Sequence, residues 1–156
     1  AKGAFGKLSA EANNLLVSRY RVPEPPRLAF AELVAAYATG SVDVSDGLVA
    51  DAGHIAEASG VKLVIHAKDV PLSAIGGAYV SNAKATLSAL LTGGDDYQTL
   101  FTASASARAE IERSGQTVTR IGFVEQGAGV NVLDASGAEM AFESAGWTHF
   151  SGPAEA

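Results

Sequence analysis

The 156 residues carry 11 Lys+Arg against 17 Asp+Glu, a formal net charge of -6, with 47% hydrophobic and 18% charged positions. That describes one soluble globular domain, long enough to bury a core of its own and too short for two full ones. The acidic balance excludes nucleic acid and anionic membranes as partners, since both need a basic face to displace counterions, and the absence of cysteine removes thiol nucleophiles, Fe–S clusters, Cys-ligated zinc and disulfides together.

In chain order, residues 9–20 place Leu15, Leu16 and Tyr20 at helical spacing, with Ser9 as a candidate N-cap. Pro23-Glu24-Pro25-Pro26-Arg27 is a stiff connector, because each proline removes a donor and restricts the residue before it. Helical periodicity resumes over 28–38, and Gly40 is the expected stop. Glu32 interrupts this apolar segment, so nothing approaches the roughly 20 apolar residues a membrane helix needs.

Val42–Val44 is expected as a buried strand feeding a helix over 46–59, with Leu48, Ala52, Ile55 and Ala56 on the core face. Asp51, His54 and Glu57 then fall nearer the other face, and Gly60 closes the helix. Further expectations are a strand over 61–67, a helix over 82–91, a strand over 97–103 and a helix over 105–114 closed by Gly115. Strands over 118–124, 130–133 and 139–142 follow, the last two joined by the turn Asp134-Ala135-Ser136-Gly137. Interleaved elements with a late hairpin predict an α+β fold, a mixed sheet covered by helices. Trp147 and Phe150 in the irregular tail suggest that part of it docks on the body.

Three places can carry chemistry. Asp43-Val44-Ser45-Asp46-Gly47 stands where a strand end meets a helix start, whose unpaired N–H groups and dipole favour phosphate. Carboxylates there repel bare phosphate but become useful where a hard cation such as Mg²⁺ bridges the two. The plainer alternative makes Ser45 a helix cap and Asp46 a partner of the dipole, and leaves Asp43 unexplained on an apolar strand.

Gly93-Gly94-Asp95-Asp96-Tyr97 is the second place, a turn whose glycines permit close backbone approach and whose acids add charge. In the third, Gly146-Trp147-Thr148-His149-Phe150, the indole is either a plug over the core or a platform for a heterocycle. The three scattered histidines, His54, His66 and His149, show no zinc spacing. Arg27 is a candidate for an anion or a carboxylate. No Gly-x-Ser-x-Gly elbow, Walker loop or dinucleotide fingerprint occurs.

Read together, Tyr20-Arg21-x-Pro23-x-Pro25-Pro26-Arg27, Asp43-x-Ser45-Asp46-Gly47-Leu48-x-x-Asp51-x-Gly53-His54, Pro71-Leu72-Ser73, Gly93-Gly94-Asp95-Asp96-Tyr97 and Gly146-Trp147-x-His149-Phe150 follow one family's order and approximate spacing. From about Ser9 to Phe150 the chain resembles the C-terminal domain of thiamine-monophosphate kinase, in the aminoimidazole ribonucleotide synthetase-like superfamily. The resemblance implies Mg²⁺-dependent transfer of the γ-phosphoryl of ATP to thiamine monophosphate, giving thiamine diphosphate in the cytoplasm. It implies that Asp43 and Asp46 hold the metal, and that Ser45, Asp46 and Arg27 meet nucleotide phosphate, with Asp46 central to catalysis. Asp96 and Trp147 are implied as substrate contacts, with Asp95 beside Asp96.

Family members carry Glu where this chain has Gln98. They also have an N-terminal domain through which they form homodimers, and none of its motifs occurs here. Residues 1–27 are therefore expected to be a connector and helix after that domain, 28–156 the C-terminal α/β domain, and the chain a fragment inactive alone. The rivals are another ATP-dependent member, of the selenophosphate or aminoimidazole ribonucleotide synthetase or hydrogenase-maturation type, a diguanylate cyclase, whose Gly-Gly-Asp-Glu-Phe loop lies at a hairpin tip, and a non-catalytic nucleotide-binding module.

Overall fold

The computed structural model describes residues 10–22, 28–80, 84–142 and 146. Helices α1 (Ala10–Arg21) and α2 (Leu28–Tyr37) precede strand β1 (Ala38–Asp43). The helix expected over 28–38 with Gly40 as its stop ends at Tyr37 and passes directly into a strand. Gly40 lies inside β1 instead, where a Cβ would sit 3.3 Å from Thr102 Oγ1 and 3.4 Å from Ile55 Cγ2. The alternating burial from Ala38 to Asp43 fits a strand better than a helix terminus.

Helix α3 (Leu48–Ser59) organises the body. Val49, Ala52, Ile55 and Ala56 are buried along one stripe and form the core with Leu63, Ile65, Ala67, Leu91 and Val132. The small residues Ala52 and Ala56 let the helix approach the strands closely. Gly60, at φ 63°, ends α3, and the N–H of Val61 returns to the carbonyl of Ala56 at 3.1 Å, a left-handed cap that only glycine adopts cheaply.

Strand β2 (Lys62–His66) follows, then a 3₁₀ turn over Ala67–Asp69, α4 (Ala74–Val80) and α5 (Lys84–Leu91). The sequence pattern predicts the second of these helices and misses α4. After β3 (Thr99–Ala103), the expected helix over 105–114 divides into a 3₁₀ turn (Ala105–Ala107) and α6 (Arg108–Arg113). The expected strand 118–124 shortens to β4 (Gly122–Glu125), while β5 (Gly129–Leu133) matches its prediction closely.

Among the described residues the strands form two sheets rather than one. β1 pairs antiparallel with β3, and β2 lies between β4, antiparallel, and β5, parallel. The mixed, helix-covered α+β architecture is therefore present in two parts joined by α3, which contacts β1 and β3 of one sheet and β2 and β5 of the other. Of the expected strand 139–142, one bridge forms, Leu133 to Glu139. Asp134 Oδ1 accepts the N–H groups of Ser136 and Ala138, at 2.8 and 3.0 Å, and so closes the predicted turn. None of the described helices is long and apolar enough to cross a membrane.

Candidate active site

Strand β1 delivers Asp43, exposed at its end, and the chain then dips through buried Val44 before α3 begins. Beside it runs the segment between α5 and β3. The N–H of Val44 donates to the carbonyl of Gln98, that of Tyr97 to Val44, and that of Asp95 to Ser45, each at 2.8 Å. These bonds carry the β1–β3 pairing past both strand ends. Two acidic bends some fifty positions apart in sequence thus become neighbours.

The contact admits no side chain at two glycines. A Cβ on Gly94 would stand 2.5 Å from the Ser45 carbonyl oxygen, and one on Gly47 would stand 2.8 Å from the carbonyl group of Thr92. Gly47 also has φ 121°, which side-chain-bearing residues rarely adopt. Asp95 at φ 67° and Tyr97 at φ 52° are left-handed without being glycine, and such strain persists where the surrounding bonds determine it.

Tyr97 reports how near the acids come to one another. Its hydroxyl donates to Asp95 Oδ1 at 3.1 Å, and the phenol pKa is raised by that bond, then by the charge of Asp95, by desolvation, and by the charges of Asp43 and Asp46. Asp96 has an exposed side chain, yet atoms packed around its carboxyl raise its pKa by desolvation. Asp43, Asp46 and Asp95 therefore act on one spot. Carboxylate oxygens are the kind of donor that suits Mg²⁺, which takes one or two of them and completes its shell with water and phosphate oxygens.

Helix α3 brings a further acid. Asp51 is 2% exposed, and its Oδ2 accepts the N–H groups of Ser45 at 3.0 Å, Asp46 at 3.0 Å and Gly47 at 3.2 Å. The amides expected to await a phosphate are thus bonded to an internal carboxylate. Ser45 does not cap the helix. The N-cap is Gly47, without a side-chain bond of its own, and the helix starts at Leu48 rather than Asp46. Ser45 Oγ instead lies 3.4 Å from Asp46 Oδ1.

One carboxylate oxygen of Asp46, one of Asp51 and an imidazole nitrogen of His54 lie within 4.8 Å of one another. Asp51 and His54 share a helix turn, and sequence periodicity places both away from the core; for Asp51 that is wrong. The signal available was its position, four residues after a glycine N-cap, close enough for a carboxylate to reach back to the first amides. Tyr97 also escapes a residue-by-residue reading, because its role depends on the left-handed bend.

Arg27 and Trp147 lie outside the described residues. Gly146 is described, and a Cβ on it would stand 2.6 Å from the Asp46 carbonyl oxygen and 2.5 Å from Ala50 Cβ. The residue before Trp147 therefore rests on the first turn of α3. A separate open cleft of about 380 Å³ lies between α2 and α6, lined by Glu32, Tyr37 and Arg113 among others. Arg113 there is held by Glu110 at 2.7 Å, and none of the converging acids reaches this cleft.

No protein-family model matches the chain. Comparison with curated proteins finds thiamine-monophosphate kinase of Aquifex aeolicus, 39% identical over 136 residues, covering 86% of this chain and 41% of that one. The enzyme of Caulobacter vibrioides is 31% identical over 146 residues, covering 89% and 41%. Among solved structures, one described as AaThiL complexed with AMPPCP and TMP superposes with a TM-score of 0.74 at 36% identity, covering 92% of this chain and 44% of the other. This chain matches the C-terminal part of thiamine-monophosphate kinases.

It spans about four tenths of the length of the curated thiamine-monophosphate kinases it matches. Escherichia coli HypE, a hydrogenase maturation protein, has a TM-score of 0.53 at 16% identity and shares the fold alone. The diguanylate cyclase alternative fails on topology: helix α5, not a strand, leads into Gly93-Gly94.

Proposed function

We propose that the protein containing this chain transfers the γ-phosphoryl of ATP to thiamine monophosphate, giving thiamine diphosphate. The observation that carries this is the backbone contact of Val44 and Ser45 with Asp95, Tyr97 and Gln98, which makes one acidic surface of two bends. A solved relative described as complexed with AMPPCP and TMP supports it. The acceptor is a phosphate monoester with a second pKa of about 6, already ionised at neutral pH, so no general base is required. The demand falls on charge neutralisation and alignment.

Asp43 and Asp46 hold Mg²⁺ in this proposal, with Asp46 the central catalytic acid. An ion held there would supply positive charge to offset repulsion between the donor and acceptor phosphates. Ser45, Asp46 and Arg27 face the nucleotide phosphates. Asp96 faces the substrate, and Trp147, next in the chain after Gly146, stacks on its heterocycle. An N-terminal domain preceding residues 1–27 completes the nucleotide site and mediates homodimerisation, in a cytoplasmic enzyme, so residues 1–156 alone are inactive.

A coupled ADP-release assay tests the proposal. The full-length protein is expected to form ADP only when thiamine monophosphate, ATP and Mg²⁺ are all present, and the 156-residue chain is expected to form none. ADP formation indifferent to thiamine monophosphate, or turnover of a selenium or ribonucleotide substrate in its place, refutes it.

A further inference from the structure

Asp51 is a carboxylate with almost no solvent contact, in the first turn of the helix that carries the site, and no step of the proposed reaction uses it. Its Oδ2 holds three successive amides, those of Ser45, Asp46 and Gly47. This is the arrangement a helix N-terminus offers to a phosphate, with the anion supplied from within the chain. The same segment is fastened on its other side, where Asp95 N–H reaches Ser45 and the Gly94 backbone leaves no room for a Cβ. A loop gripped from both sides has one conformation. Asp46, the middle residue of the gripped triplet, keeps a carboxylate oxygen within 4.8 Å of one from Asp51.

We propose that Asp51 is a positioning residue for the phosphoryl-transfer site: as a built-in anion it fixes the Ser45–Gly47 loop, aims Asp46, and denies those amides to substrate phosphate. This rests on the proposed function for its catalytic consequence alone. Substrate phosphate is then met by side chains and the cation they hold, rather than by the α3 amides.

Two measurements on the full-length protein decide it. Amide hydrogen exchange of the wild type should show Ser45, Asp46 and Gly47 protected like the interior of α3. Protection should be unchanged when Mg²⁺ and a non-hydrolysable ATP analogue are added. Fast exchange at these three amides, or new protection that appears with the nucleotide alone, overturns the proposal. Asp51→Asn keeps the shape and removes the charge. It should speed exchange at those amides about tenfold or more without affecting β2.

In the same variant kcat should fall about 10–100-fold, the Mg²⁺ requirement should rise, and KM for thiamine monophosphate should stay within about twofold. A variant with wild-type kcat and Mg²⁺ dependence overturns the positioning role and leaves the proposed function standing. A wild type without thiamine-monophosphate kinase activity removes that function, and the exchange data then judge the loop on their own. Should Asp51→Asn not fold, the wild-type exchange pattern decides.

Discussion

Gly94 lies so close to Ser45 that a Cβ on it would stand 2.5 Å from the Ser45 carbonyl oxygen, with backbone on both sides of the contact. Backbone cannot swing aside as a long side chain can, so Gly94→Ala must push the two acidic bends apart. The expected loss is about 1–3 kcal/mol of stability, the ordinary range for overpacking. Gly53, in α3 with nothing within 4 Å of its Cβ position, is the matching control. Gly53→Ala should stabilise by about 0.5–1 kcal/mol, the helix-propensity difference. Urea denaturation of both variants checks the opposite signs.

Asp46 carries the next prediction because it meets the other groups of the site. It acts on the Tyr97 phenol, neighbours Asp51 and His54, and its carbonyl oxygen stands 2.6 Å from where a Cβ on Gly146 would lie. Asp46→Asn should lower turnover of the full-length enzyme by about 10²-fold or more, as loss of a preorganised electrostatic group does. Its melting temperature should not fall, since one of several like charges is removed. Steady-state kinetics beside calorimetry would separate the two effects, and a variant that melts early would assign Asp46 to structure.

Much of this was legible from the order of residues. The apolar stripe of α3, its stop at Gly60 and the turn at Asp134 follow from periodicity and local chemistry, and Gly93-Gly94 marks a close backbone approach without naming its partner. Hydrogen bonding across the chain was not legible. Ser45 looked like the cap because it stands at the right offset, but a buried carboxylate one helical turn inward competes better for the same amides. Gly40 looked like a stop because a glycine after an apolar run usually is one; here Thr102 and Ile55 need the space. The tail and the proline connector, with Trp147 and Arg27, fall outside the described residues.

Leu91 ties this geometry to the core. It is 2% exposed, closes α5, and comes directly before Thr92-Gly93-Gly94. Leu91→Ala should cost about 2–5 kcal/mol through lost transfer energy and the cavity left behind. The damage should also loosen the second acidic bend, visible as faster amide exchange at Asp95 and Tyr97 before global unfolding. Equal exchange at both amides would detach α5 from the site.

Burial raises the pKa of Asp96 above the usual 3.8. The folded state therefore binds that proton more tightly than the unfolded chain. The stabilisation is complete below the unfolded value and is lost as pH rises through the folded one. At neutral pH the ionised carboxylate is a net cost. Asp96→Asn should be more stable than wild type at pH 7, and the gain should shrink toward zero in acid. Thermal melts across pH 3–7, with a ¹³C titration of the Asp96 carboxyl, check both the sign and the window.

Tyr97 gives the most direct measure of whether the acids converge. Its phenol pKa is raised above 10.0 first by the bond to Asp95, then by the surrounding negative charge. A neutral phenol is favoured, so any stability it lends is present below about pH 10 and lost as pH rises through the folded value. Asp95→Asn should bring the Tyr97 midpoint down most, because it weakens the hydrogen bond and removes the nearest charge together. Asp43→Asn and Asp46→Asn should each lower it less, and added Mg²⁺ should lower it without any substitution, by screening the same carboxylates. The difference spectrum against Tyr97→Phe near 295 nm isolates this residue from the other tyrosines. A midpoint indifferent to all three substitutions would mean that Asp43 and Asp46 do not share a field with Asp95, and a magnesium pocket between the bends would then have no electrostatic basis.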